Sequence, residues 1–67
     1  MDKLTPREYQ VAMLVARGLS NRDIARELGL TTGTVKLHMH QVIHKLGVKR
    51  RSEAILTILR EAAAPQG

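Results

Sequence analysis

The sequence predicts an all-α domain, a compact four-helix bundle containing a helix-turn-helix, and three observations carry that expectation. Apolar residues recur with a helical period and nowhere alternate as they would along a strand. Cap residues bracket each periodic segment: Thr5, Ser20, Thr31 and Ser52 at the starts, Gly18, Gly29 and Gly47 at the stops. Two segments flank a tight turn at Gly29-Leu30, and the one that follows it is basic. The helices are expected at about 6–17, 21–28, 32–46 and 52–63, within a single domain spanning 1–67.

Each element has its own signal. Thr5-Pro6-Arg7-Glu8 is a dense helix start, with Thr5 as N-cap, Pro6 at the first helical position and Glu8 closing a capping box. Leu4 is placed to staple onto the first turns. Val11, Leu14 and Val15 give that helix its buried face, and Ala12 and Ala16 allow close approach. Ser20, with Asp23 three residues on, opens the second helix, whose Ile24, Ala25 and Leu28 face inward. Gly29 stops it, Leu30 plugs the turn, and Thr31 caps the third helix. Gly47 ends that helix and Val48 packs back. Ser52 and Glu53 open the fourth helix, with Ile55, Ile58, Leu59 and Ala62 along its inner side and Leu56 and Ala63 off that stripe. Ala64-Pro65-Gln66-Gly67 reads as a frayed tail, since Pro65 cannot continue a helix. Each hydroxyl cap should contribute about 1 kcal/mol.

Composition narrows the classes of function. The chain has 67 residues, near the lower limit for folding without staples, and has no Cys for a disulfide or thiolate metal site. That is compatible with a reducing cytoplasm. No apolar run approaches the roughly 18 to 20 residues of a membrane span, and no secretory signal is present. Phe and Trp are absent and Tyr9 is the sole aromatic, so aromatic platforms for single-stranded nucleic acid are excluded. The net charge of +5 comes from eleven Lys and Arg against six Asp and Glu. Residues 31–51 account for the whole excess: Lys36, Lys45, Lys49, Arg50 and Arg51, with no acid among them. A charge run is most often a solvated face. This one coincides with an amphipathic helix and the loop after it, which points to a polyanion, nucleic acid first.

The third helix has two incompatible faces. Val35, Met39, Val42 and Leu46 fall at i, i+4, i+7 and i+11 and form an apolar stripe, with Ile43 beside them. Lys36, His40 and His44 recur every four residues on the far side, with Leu37, Gln41 and Lys45 nearby. Leu37 stands where a solvated helix would place a polar residue, which suits a surface that touches base edges. Three other readings compete. His40 and His44 at i, i+4, with His38 close by, could chelate a metal, but no carboxylate or thiolate supports them, and no metal or cofactor is expected. An enzyme is not expected, because paired carboxylates, a nucleophile–base constellation and a Gly-rich phosphate loop are all missing. A protein-interaction module built on the fourth helix leaves the acid-free 31–51 segment unexplained.

Several spaced blocks then carry a resemblance. They are Leu4-Thr5-Pro6-Arg7-Glu8, Gly18-Leu19-Ser20-Asn21-Arg22-Asp23-Ile24-Ala25, Thr34-Val35-Lys36-Leu37-His38, Lys45-Leu46-Gly47-Val48 and Arg51-Ser52-Glu53-Ala54. In this order, over roughly Leu4 to Ile58, the chain resembles the LuxR/GerE-type helix-turn-helix domain, the output module of many bacterial response regulators and quorum-sensing regulators. Departures are mild. The family often has an acid where Gln10 stands, Asn where Gln41 stands, and basic residues where His40 and His44 stand.

The resemblance implies a cytoplasmic transcriptional regulator whose third helix lies in the major groove of double-stranded DNA. Carried over position by position, Lys36, Leu37 and His40 are base readers, with His44 as a fourth. Thr31, Thr34 and His38 contact phosphates, and Lys45, Lys49, Arg50 and Arg51 clamp the backbone. It also suggests a buried or half-buried pairing for Arg51, with Glu8 as the candidate partner. It implies weak homodimerisation through the fourth helix on DNA, for which Leu56, Arg60 and Ala63 are candidates, and RNA polymerase as a further partner.

Overall fold

The computed structural model of the chain describes residues 3–63, and the tail expected at 64–67 lies outside them. Four helices follow in order: α1 over Pro6–Ala16, α2 over Asn21–Leu28, α3 over Thr32–Leu46 and α4 over Arg51–Ala63. Among the described residues there is no strand.

The starts and stops are local chemistry. At α1 the capping box closes in both directions: Thr5 Oγ1 accepts from the Glu8 amide at 3.1 Å, and Glu8 Oε1 accepts from the Thr5 amide at 2.9 Å. Ser20 Oγ accepts from the Asp23 amide at 3.2 Å, and Thr31 Oγ1 accepts from the Thr34 amide at 3.1 Å. In the helix-turn-helix, Gly29 takes φ +69°, and the next amide, Leu30, donates back to the Ala25 carbonyl at 2.8 Å. A Cβ there would meet nothing within 4 Å, so glycine is required by the left-handed backbone and not by space.

α4 departs from expectation at both its start and its face. It begins at Arg51, one residue early, and the first of its backbone bonds runs from the Ala54 amide to the Arg50 carbonyl. Ser52 is therefore an exposed residue inside the first turn and not the cap. Its inward stripe is Ala54 and Ile58 with half-buried Ile55, whereas Leu59 is 48% exposed and Ala62 is also exposed.

The core is aliphatic: Val11, Ala12 and Val15 from α1, Ile24 and Ala25 from α2, Val35, Met39 and Val42 from α3, Ala54 and Ile58 from α4. Leu4, Leu30 and Val48 pack at its edge. α1 and α3 each pack against the other three helices, while α2 and α4 do not pack on each other. The link between those two is Arg51, whose guanidinium donates to Asn21 Oδ1 at 2.7 Å and to the Leu19 carbonyl at 3.3 Å. The expected Arg51–Glu8 pair is thus corrected. Glu8 instead accepts from Lys45 Nζ of α3 at 2.7 Å.

Glu8 is the one buried charged residue among those described, at 5% exposure. The Lys45 ammonium, followed by the Thr5 amide, holds its carboxyl below the usual carboxylate range despite the opposing effect of burial. A lowered folded-state pKa means that this contribution is present above the unfolded value of about 4.3 and is lost as pH falls through the folded one. Glu8→Gln should therefore lower stability by about 1–3 kcal/mol at pH 7 and flatten the acid limb of the stability profile. Urea unfolding followed by circular dichroism between neutral and acid pH checks this. An acid limb as steep as the wild type's would place the titrating group elsewhere.

Candidate nucleic-acid interface

Burial of Val35, Met39 and Val42 decides which side of α3 remains outside. Lys36, Leu37, His40 and His44 all lie on that side and are exposed, Leu37 at 57%. The four residues read from sequence as base-facing thus share one solvent face. A medium-sized apolar side chain between a lysine and an imidazole matches the major-groove mix of hydrogen-bond donors and a surface for thymine methyl groups.

Between this face and the core runs a flank. Thr34, His38, Gln41 and Lys45 are spaced at i, i+4, i+7 and i+11, and all four are half-buried. Of the phosphate-contact candidates, then, Thr34, His38 and Lys45 lie beside the exposed face and not on it. Lys45 reaches across to α1, where its ammonium is bound by Glu8. At the N-terminus of α3, Thr31 Oγ1 and Thr34 Oγ1 lie 2.9 Å apart and share one hydroxyl proton. Two hydroxyls carry two protons, so one is left to donate outward, next to helix amides and a dipole that favour an anion.

Beyond Gly47 the chain runs through Lys49 and Arg50, both exposed and without a side-chain hydrogen bond or ion pair among the described residues. Arg51 is half-buried, with its guanidinium occupied by Asn21 and Leu19. The basic run therefore divides into two free cations and one that holds the loop in place. Asn21 and the Leu19 carbonyl carry no sequence signal for this role, because they stand about 30 residues from Arg51. Nor does any spacing rule pair Glu8 with Lys45 across 37 residues.

No group of three or more His, Cys, Asp or Glu side chains that could hold a metal comes together among the described residues. His38 sits on the flank while His40 and His44 stand on the open face. Among the described residues, no helix is long and apolar enough to cross a membrane.

Residues 2–58 match the family model described as GerE, bacterial regulatory proteins, luxR family. The chain is 41% identical over 61 residues to the nitrate/nitrite response regulator protein NarL of Escherichia coli (strain K12), covering 91% of this chain and 28% of that protein. It is 46% identical over 65 residues to the two-component response regulator PprB of Pseudomonas aeruginosa, covering 97% of this chain and 23% of that one. A solved structure, that of the transcription factor GerE, superposes with a TM-score of 0.79 at 42% identity, covering 88% of each chain. The chain spans about a quarter of the length of each of these two response regulators. A four-helix fold, an exposed basic face on the second helix of the turn motif and these matches together show that the chain belongs to the luxR family of bacterial regulatory proteins, as a helix-turn-helix DNA-binding domain.

Proposed function

We propose that this domain binds double-stranded DNA sequence-specifically, with α3 in the major groove, as the output part of a bacterial transcriptional regulator. The observation that carries the reading is the exposed, acid-free face of α3, in which Lys36, Leu37, His40 and His44 stand together while the opposite side is core. Lys36 donates to guanine O6 or N7, Leu37 packs on a thymine methyl, and the two imidazoles donate or accept at base edges. Thr31, Thr34 and His38 take phosphates beside the helix N-terminus. Lys49 and Arg50 clamp the backbone beyond its C-terminus. Arg51 belongs to the scaffold that holds that loop, and Lys45 to the scaffold that holds α3.

Pairing of two copies on DNA is assigned to α4. Leu56 (59% exposed), Leu59 (48%) and Ala63 leave apolar surface uncovered on that helix, with exposed Arg60 beside it. Such surface on one helix is small for a stable interface, so the isolated domain is monomeric at micromolar concentration and pairs on two half-sites about one DNA turn apart. Such a regulator works in the cytoplasm, where bacterial DNA lies, and its output is directed at RNA polymerase. NarL and PprB are named as response regulators, and a chain spanning a quarter of their length fits the role of their DNA-binding part.

Selection of bound sequences from a random duplex library returns the motif, the half-site spacing and the symmetry together. On the duplex so obtained, Lys36→Ala should cost about 1–3 kcal/mol and relax preference at one base pair. Equal losses on selected and random duplexes would remove Lys36 from base reading. Lys49→Ala should weaken both duplexes alike and reduce the slope of log affinity against log salt by about one contact's worth. An unchanged slope would take Lys49 out of the clamp.

A further inference from the structure

The one ion pair between helices among the described residues removes a cation from the edge of the DNA-facing surface. Lys45 occupies the last turn of α3, on the half-buried flank beside His44 and Gln41, and its side chain is 28% exposed. Its ammonium lies 2.7 Å from Glu8 Oε1, and the Glu8 side chain is 7% exposed. The same oxygen accepts from the Thr5 amide at 2.9 Å, so the carboxylate is anchored to the α1 cap and cannot follow Lys45 outward. A lysine that swung toward a phosphate would leave Glu8 buried without a counter-charge. Breaking a buried pair costs more than a solvent-screened phosphate contact supplies.

We infer that Glu8 is a specificity-determining residue: by binding Lys45 across the α1–α3 contact it suppresses sequence-independent attraction to DNA. The inference rests on the DNA-binding reading above. A free ammonium on a flexible stem finds a phosphate in any loosely held, sliding complex. On the selected site, base contacts fix the register, and a freed Lys45 reaches only whatever phosphate that register presents. Releasing it therefore favours random DNA more than the selected site. Glu8 acts through Lys45 and touches no base, so it is a positioning residue of the interface.

Glu8→Gln tests this directly. The substitution keeps the acceptor that caps α1 and takes the formal net charge from +5 to +6. Affinities for a random-sequence duplex and for the library-selected duplex are measured across a salt series for the wild type, Glu8→Gln, Lys45→Met and the double variant, with helix content checked by circular dichroism. Glu8→Gln should bind the random duplex more tightly, with a salt slope steeper by about one. Its advantage should shrink by about 3.5-fold between about 50 and 200 mM salt. The selected duplex should gain less, so the ratio of selected to random affinity falls, and the gain on random DNA should vanish in the double variant. A merely structural role for Glu8 predicts weaker binding to both duplexes. That result, equal gains on both, or persistence of the gain without Lys45 would each overturn the inference. If Glu8→Gln does not fold, Lys45→Met decides. An unchanged slope on random DNA supports sequestration of the ammonium, and a slope lower by about one shows that Lys45 already contacts phosphate. A wild-type chain that binds neither duplex at low salt would overturn the DNA-binding reading itself, a result distinct from all of these.

Discussion

Burial of Val35, Met39 and Val42 against Val11, Val15 and Ile24 is the constraint on which the rest of this domain depends. In an α-helix, side chains four residues apart share a face, so placing one stripe in the core determines the direction of every other residue on α3. Lys36, His40 and His44 face solvent because their neighbours face α1. Nothing about their own chemistry puts them there. The core contains no aromatic side chain and its largest fully buried members are Ile24 and Ile58, so a small volume of close-packed aliphatic atoms carries this constraint.

A core this small leaves helix orientation under-determined by packing alone, and two long side chains add what is missing. Glu8 with Lys45 ties the first turn of α1 to the last turn of α3. Arg51 ties the first residue of α4 to the turn before α2, spanning two helices that do not pack on each other. Both contacts involve residues that a charge map alone would assign to DNA. Of the five cations in the acid-free segment, two are thereby taken up inside the protein, and Lys36, Lys49 and Arg50 are left to face outward. The surface presented to a polyanion is more selective than the +5 net charge suggests. Charge in a small basic domain has two uses, attraction and construction, and the partner of each side chain distinguishes them.

The helices, their capping and most of the core could be read from the chain itself, because these are short-range matters. A hydroxyl finds an amide three residues away, a left-handed glycine ends a helix, and an apolar stripe repeats every turn. The exposed face of α3 could be read for the same reason, since its residues lie on one helix and one period relates them. α4 was read less well. Ser52 looked like a cap, but the backbone bond to the Arg50 carbonyl begins the helix one residue earlier; separately, the inward stripe holds Ala54 and leaves Leu59 outside.

Local periodicity and capping therefore determined the four-helix class, the turn motif and the polar side of α3, because each depends on residues within about a turn of one another. Tertiary structure alone decided which cations remain free. Glu8 meets Lys45 across 37 residues, and Arg51 meets Asn21 across 30. Such pairs exist only once packed helices bring distant positions together, and at those separations no period in the sequence distinguishes one partner from another.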